Sequence, residues 1–127
     1  EIDRAMPYQP VIDLVTRAMG ELALVLRRLH ADPTTAHGLA GLGDLLTTGF
    51  SPHSRNRKFG ELICASTVCD IPAVLKTMTV EGVVAVEVAR RWAQARRRTF
   101  PIIELVWKVC HRRAEPCAAL RRYLEHV

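Results

Sequence analysis

The segment from Gly38 to Gly60 reads GLAGLGDLLTTGFSPHSRNRKFG and differs in kind from the sequence around it. It combines repeated glycines, a carboxylate at Asp44, a pair of threonines and an Arg-Asn-Arg cluster. Glycine weakens helices and lets two stretches of backbone approach closely or take a positive φ. The composition therefore predicts an irregular segment that is held in place by regular elements on both sides.

Helical periodicity dominates the flanks of this segment. Apolar residues recur at steps of three and four from Val11 to Leu29, which predicts a helix over about residues 10–30. Asp32 directly before a proline predicts an N-cap and a short helix over Pro33–His37, since proline at the first helical position leaves no N–H unpaired. These two elements lead the chain into the glycine-rich segment.

The second half of the chain shows the same helical pattern. Asp70 is placed to cap a helix whose first turn holds Pro72 and which runs to about Thr77. Three further helices are predicted over about residues 81–96, 101–112 and 116–125. The β-branched run from Val80 to Val88 also fits a strand, but its length and its helical neighbours favour a helix. The residues expected on the buried faces of the middle two helices are Val84, Ala85, Val88, Trp92, Ile102, Leu105, Val106 and Val109.

The composition is that of a folded protein. The chain has 127 residues, of which 49% are hydrophobic and 24% charged, and these proportions argue against disorder and against a fibrous repeat. No apolar run approaches the roughly 18 residues of a membrane span, and no signal peptide opens the chain. We therefore expect one all-α, multi-helix domain over residues 1–127, without a membrane span and located in the cytoplasm. Because the chain starts with Glu1 rather than Met, we also expect it to be part of a longer protein.

The net charge of +5 comes mainly from arginine, which occurs in pairs and triplets. Such a balance suits an anionic ligand or nucleic acid. Each cluster also adjoins an apolar periodic segment, which fits the solvent-facing side of a helix. No recognised nucleic-acid motif accompanies the clusters, so no nucleic-acid partner is expected. The clusters are Arg27-Arg28, Arg90-Arg91, Arg96-Arg97-Arg98, Arg112-Arg113 and Arg121-Arg122.

Four cysteines, Cys64, Cys69, Cys110 and Cys117, could form two disulfides or, with His111, a zinc site. Their spacing includes no close Cys-x-x-Cys pair of the kind that zinc sites usually show. Cys64 and Cys110 lie among apolar neighbours, where free thiols act as small hydrophobic residues. We therefore expect reduced structural cysteines and no metal site.

Ser54 is placed to cap a helix whose first turn is Arg55-Asn56-Arg57. A helix N-terminus offers unpaired N–H groups and a positive partial charge, both of which favour an anion. Arginine in this turn opposes the helix dipole, so a bound anion would relieve the conflict. Two interpretations stay open. In the first, the arginine points to solvent or pairs with Asp44 or Glu61. In the second, Ser54, Arg55 and Asn56 form a phosphate site.

The glycines follow the order Gly-x-x-Gly-x-Gly and no strand precedes them, so they are not the fingerprint of a dinucleotide fold. Together with Asp44 and the sequence Ser54-Arg-Asn-Arg57, they closely resemble the signature of the bacterial NAD(P)-dependent glycerol-3-phosphate dehydrogenases. The match extends to Val80-Glu81-Gly82 and to the segment from Pro101 to Val106. It covers essentially the whole chain, as the family's C-terminal substrate domain, which implies a fold of the 6-phosphogluconate dehydrogenase C-terminal-like type.

The resemblance implies an enzyme that reduces dihydroxyacetone phosphate to sn-glycerol 3-phosphate, by passing hydride from NADH or NADPH to the C2 carbonyl, in phospholipid synthesis. Asp44 would hold the polyol end of the substrate and organise the lysine that acts as general acid and base, with Thr48 close by. Ser54, Arg55 and Asn56 would hold the phosphate, and a guanidinium suits this role because it can bond two oxygens at once. A homodimer is compatible with this assignment.

On the cofactor side, the resemblance implies contacts to the dinucleotide from Arg55, Thr79 and Glu81. The sequence departs from the family's pattern where Thr79 replaces a usual valine and where residues 64–68 lack the usual glycines. The family's dinucleotide fold and catalytic lysine would precede Glu1, and the lysines at other positions are Lys58, Lys76 and Lys108. The chain alone is therefore expected to be catalytically inactive. The alternative is a stand-alone helical phosphate-binding or interaction module without catalytic activity.

Overall fold

The computed structural model describes residues 8–65, 71–111 and 115–125, and helices dominate them. The α-helices are α1 (Tyr8–Arg28), α2 (Asp44–Gly49), α3 (Arg55–Ala65), α4 (Ile71–Thr77), α5 (Glu81–Ala95), α6 (Pro101–Cys110) and α7 (Pro116–Glu125). A 3-10 turn at Pro33–His37 and a π-helical turn at Leu39–Gly43 lie between α1 and α2. The described residues contain no strand, so the predicted all-α class is confirmed.

The helix bounds predicted from periodicity agree closely with these elements, and the run from Val80 to Val88 lies at the start of α5 rather than in a strand. Asp70, the predicted cap of α4, and most of the 64–68 loop lie outside the described residues. Within the described ranges, no helix is both long enough and apolar enough to cross a membrane.

The hydrophobic core lies where α3, α4, α5 and α6 meet. Its buried residues are Phe59, Ile63, Ile71, Val80, Val86 and Cys110. Cys110 is a free thiol, and burial raises its pKa. Helix α1 packs against α6 and α7 on another side of this core.

The buried face of α5 differs from the predicted one. Val84 and Val88, expected in the core, are 65% and 61% exposed, whereas Val86 and Ala93 are buried. The buried stripe has Arg90 at the position between these two residues, four after Val86 and three before Ala93. Arg90 interrupts the stripe of apolar residues that α5 buries, and valines lie on its other faces. The spacing of apolar residues therefore predicted the wrong buried face. Val106 of α6 is likewise 40% exposed.

Arg90 joins α5 to α6, although an arginine pair was expected to face solvent. Its Nε lies 2.9 Å from Glu104 Oε2, and its guanidinium carbon lies 3.7 Å from the centroid of the Trp107 ring. The Trp107 indole N–H also donates to Glu87 Oε2 at 2.6 Å. That hydrogen bond is the main reason that the pKa of Glu87 lies below its ordinary value. Polar contacts therefore fix how α5 and α6 pack.

The glycine-rich segment is more regular than its composition suggests. The predicted cap Asp32 is confirmed, since its carboxylate accepts the Thr34 N–H at 2.9 Å. Gly41 permits a close approach, because a Cβ at this position would lie 2.7 Å from the carbonyl carbon of Ala36. The residues after Asp44, which belong to the segment expected to be irregular, are helical as far as Gly49. The π-helical turn runs directly into α2, with the Asp44 N–H bonded to the carbonyls of Leu39 and Gly41.

Glu21 of α1 caps the distant helix α6. Its two carboxylate oxygens accept the N–H groups of Ile102 at 2.8 Å and Ile103 at 2.9 Å. Phe100 at the N-cap supplies no side-chain hydrogen bond, so these first-turn donors depend on Glu21. Burial raises the pKa of Glu21, and the two backbone hydrogen bonds partly oppose that shift.

We expect Glu21→Ala to lower the free energy of unfolding by about 1–2 kcal/mol, because two helical N–H groups lose their partner in a half-buried place. Urea denaturation followed by circular dichroism measures the change. Glu125→Ala, which removes an exposed carboxylate of α7, is the matched control and should change stability little. Equal stability of the two variants would contradict a capping role for Glu21.

Candidate functional site

A polar cavity of about 260 Å³ lies where the first turns of α3 and α5 meet the end of α2. Its lining residues come from α2, from α3 with its N-cap, and from the start of α5 with the residues before it. They are Thr48, Ser54, Arg55, Asn56, Thr79 and Glu81. Segments that are distant in sequence thus supply one set of hydroxyl, amide, guanidinium and carboxylate groups.

Ser54 is the N-cap of α3, as the sequence predicts. Its hydroxyl oxygen accepts the Arg57 N–H at 3.2 Å, and its carbonyl accepts the Lys58 N–H at 3.0 Å. The N–H groups of Arg55 and Asn56, at the first two helical positions, have no intrahelical acceptor. The start of α3 therefore brings polar donors to the cavity.

Asn56 links the start of α3 to the start of α5. Its side-chain oxygen Oδ1 accepts the Gly82 N–H at 3.1 Å, while Val80 at the N-cap of α5 makes no side-chain hydrogen bond. The amide NH₂ of Asn56 is then its group for binding a ligand. Gly82 leaves room for this contact, because a Cβ there would lie 2.8 Å from Asn56 Oδ1.

The two arginines of the first turn have different surroundings. Arg57 donates to Glu61 at 3.0 Å and reaches the Gly49 carbonyl at 3.4 Å, so it fastens the preceding turn to α3. The Arg55 side chain makes no hydrogen bond or ion pair within the described ranges, and it borders the cavity. The pairing with Glu61 considered for this cluster therefore belongs to Arg57 and leaves the Arg55 guanidinium available.

The electrostatics of the cavity favour an anion at one end. Two helix N-termini point their positive partial charges at it, and Arg55 adds a full positive charge. The Glu81 carboxylate lies at the other helix start and suits a hydroxyl or amide donor instead. The arrangement can hold a molecule with a phosphate at one end and hydroxyl groups at the other. Within the described ranges, no three His, Cys, Asp or Glu residues are grouped to hold a metal ion.

A second cavity of about 370 Å³ adjoins the first and shares Arg55 and Thr79 with it. Its other walls come from the end of α4 and include Lys76. Sequence reasoning missed this lysine as a neighbour of the site, and it missed Gly82 as the partner of Asn56. The only local signal was that both residues lie within three positions of Thr79.

Asp44 is the predicted site residue that does not line the polar cavity. It is exposed at the start of α2, one helical turn before Thr48 and on the same face. The structure thus brings six of the seven predicted residues to one cavity and places Asp44 beside it. The chemical role of each residue remains a prediction.

An apolar groove of about 410 Å³ also borders Asn56 and Gly82, and its other lining residues come from α3, α5, α6, α7 and the ends next to them. Its described walls carry no charged side chain, and Asn56 is their one side-chain amide. It offers neither a base nor a counter-charge, so we assign the candidate site to the polar cavity.

Residues 11–121 match the protein family described as NAD-dependent glycerol-3-phosphate dehydrogenase C-terminus. The chain belongs to this family. The resemblance based on the glycine-rich segment and the Ser54-Arg-Asn-Arg57 sequence is therefore confirmed at the level of the family.

Individual relatives of the glycerol-3-phosphate dehydrogenase family agree with this match. The glycerol-3-phosphate dehydrogenase (NAD(P)+) of Thermus thermophilus is 38% identical over 108 residues, which are 85% of this chain and 33% of that protein. The enzyme of the same name from Corynebacterium diphtheriae is 36% identical over 110 residues, 86% of this chain and 33% of its own. The enzyme of that name from Synechococcus is 37% identical over 114 residues, which are 88% of this chain and 37% of that protein. The chain thus spans about a third of the length of the curated relatives that it matches.

The contact between Gly82 and Asn56 predicts a glycine requirement in this member of the glycerol-3-phosphate dehydrogenase family. We expect Gly82→Ala to weaken the binding of inorganic phosphate by about two- to tenfold, because the added methyl displaces an amide whose hydrogen bond contributes about 0.5–1.5 kcal/mol. Isothermal titration calorimetry on the 127-residue chain measures this change.

Gly60→Ala in α3 is the matched control, since a Cβ at Gly60 meets no atom within 4 Å. Both variants gain the helix propensity of alanine, so the difference between them isolates the Asn56 contact. Equal phosphate affinity in the two variants would show that Asn56 does not depend on Gly82.

Proposed function

We propose that this chain is the substrate-binding part of a glycerol-3-phosphate dehydrogenase, which interconverts dihydroxyacetone phosphate and sn-glycerol 3-phosphate. The observation that carries the proposal is the convergence of Thr48, Ser54, Arg55, Asn56 and Glu81 on one polar cavity in a chain of this family. The alternative of a stand-alone binding module is not favoured, because the relatives are dehydrogenases.

The phosphate end of the substrate would bind at the start of α3. Arg55 supplies a guanidinium that forms no ion pair with a described carboxylate, and the first-turn N–H groups add neutral donors. Ser54 can donate its hydroxyl proton to a phosphate oxygen while its own oxygen accepts the Arg57 N–H. Asn56 contributes its NH₂ group, because Gly82 occupies its oxygen.

The polyol end of the substrate would lie toward α2. Thr48 borders the cavity, and Asp44, one turn earlier on the same face, is within reach of a substrate that extends past Thr48. We propose that Asp44 binds this end and orients the general acid and base lysine of the complete enzyme. Lys58, Lys76 and Lys108 do not line the polar cavity, although Lys76 lines the adjoining one, and this supports a source for that lysine outside these residues.

The cofactor, NAD or NADP, would lie on the side of the second cavity. Arg55 and Thr79 border both cavities, so a group held there touches substrate and dinucleotide alike, and Glu81 lies at the shared rim. The nicotinamide supplies or accepts the hydride at C2. We further propose a cytoplasmic enzyme of phospholipid synthesis that acts as a homodimer and has no nucleic-acid partner.

Arg55→Ala should weaken the binding of sn-glycerol 3-phosphate to the 127-residue chain by roughly ten- to a hundredfold, because a charged hydrogen bond is worth about 1.5–3 kcal/mol. Calorimetric titration measures the affinity. Arg57→Ala is the matched control, since Arg57 is tied to Glu61 and should leave the affinity within about threefold of the original. An affinity that falls with Arg57→Ala but not with Arg55→Ala would remove Arg55 from the substrate site.

The isolated 127 residues should show no oxidation of NADH or NADPH that depends on dihydroxyacetone phosphate. The chain spans about a third of its relatives, and the family resemblance implies that the catalytic lysine precedes Glu1. Absorbance at the reduced-nicotinamide band follows the reaction directly. Turnover that disappears in Asp44→Asn would show that these residues already hold a complete active site, contrary to the proposal.

A further inference from the structure

The C-terminal ends of α1 and α5 meet at a cavity of about 630 Å³, at the opposite end of α5 from Glu81. We call it the arginine cavity. Helix α5 has 15 residues, so the two sites are separated by about 22 Å along it. Its lining residues are Leu24, Arg27, Arg28, His30, Arg96 and Arg98.

The positive charge of the arginine cavity is largely uncompensated. The guanidinium groups of Arg27, Arg28 and Arg98 make no hydrogen bond or ion pair with any described residue. Arg96 donates to the carbonyl of Trp92 in its own helix at 3.2 Å and lies 4.8 Å from the centre of the Trp92 ring. No described carboxylate lines the cavity. Four guanidinium groups therefore face one space without a counter-charge.

One carboxylate lies nearby, but it has another partner. Glu21 lines the adjoining cavity together with Arg28 and Arg98. Both of its oxygens accept N–H groups at the start of α6. The helix C-termini supply only about half a negative charge each, which offsets about one of the four positive charges. A structural role for the arginines thus accounts for part of the cluster and leaves a surplus.

The two helix ends hold this surplus on well-defined turns. Both helices end in the same hydrogen-bonded motif, with the Ala31 N–H on the Leu26 carbonyl at 2.8 Å and the Arg98 N–H on the Ala93 carbonyl at 2.9 Å. The left-handed position of each turn, usually glycine, holds a basic residue: His30 at φ 60° and Arg97 at φ 54°. The backbone around the cavity is therefore fixed before any ligand arrives.

We propose that the arginine cavity binds a small polyphosphate, meaning a soluble molecule with two or more linked phosphate groups. A guanidinium fork matches a phosphate edge by two parallel hydrogen bonds, and several forks from two helices exceed what one orthophosphate can engage. The cavity volume lies within the usual range of ligand sites. The arginine cavity is separate from the polar cavity, and this inference does not depend on the function proposed for the polar cavity.

The test is calorimetric titration of tripolyphosphate into the 127-residue chain at constant ionic strength, with orthophosphate in parallel. We expect saturable binding of tripolyphosphate at least tenfold tighter than any binding of orthophosphate. Arg28→Gln with Arg98→Gln should weaken it at least tenfold. Lys108→Gln with Arg121→Gln removes the same charge elsewhere and should weaken it less than threefold, and circular dichroism confirms that each variant is folded.

Four results would overturn the proposal. Absence of tripolyphosphate binding would show that the cavity takes no polyphosphate, and binding weakened equally by both double variants would mean that only overall charge matters. Binding lost in Arg55→Ala would place the polyphosphate at the other cavity. Arg28- and Arg98-dependent binding to vesicles of phosphatidylglycerol, without binding of free tripolyphosphate, would assign the cluster to a membrane surface.

Discussion

The N–H groups in the first turn of a helix have no acceptor within that helix, and a chain built from helices must find partners for them elsewhere. In this protein the partners come from distant segments. Glu21 of α1 caps α6 across 81 positions of sequence, and Asn56 of α3 binds the first turn of α5 across 26. Where local caps are missing, at Phe100 and Val80, these two side chains replace them. Helix capping is thus part of the tertiary structure.

The same constraint creates the candidate site. Asn56 draws the start of α5 against the start of α3, so two helix N-termini face one small space. Their partial charges add to the charge of Arg55, and Arg57, which neutralises itself on Glu61, does not compete for a ligand. A contact that stabilises the fold therefore also sets the field that an anion would meet. Gly82 is required for both, because a side chain there would collide with the Asn56 amide.

Local patterns in the sequence predicted the all-α class, the helix bounds and the caps Asp32 and Ser54, because each depends on residues within a few positions of one another. The helix-capping argument already pointed to Ser54, Arg55 and Asn56, and the family resemblance supplied the other site residues. All of them but Asp44 line one cavity. Contacts between residues far apart in the sequence could not be predicted from the spacing of apolar residues. Glu21 is not part of the apolar repeat of α1, and Arg90 interrupts the stripe that α5 buries. Its ion pair with Glu104 and its contact with Trp107 make burial tolerable, and neither partner can be read from the spacing of α5 alone.

The two basic cavities differ in the sign of the helix ends that surround them. At the polar cavity the helix N-termini add to the charge of a single arginine, so one phosphate meets a concentrated field and neutral N–H donors. At the arginine cavity the helix C-termini oppose the arginines, and several guanidinium groups are needed to leave a positive surplus. A monophosphate with a polar tail suits the first environment, where few groups act with precise geometry. A ligand with charge spread over linked phosphates suits the second environment. Its affinity must come from the number of guanidinium groups that it binds, because the helix C-termini do not attract an anion.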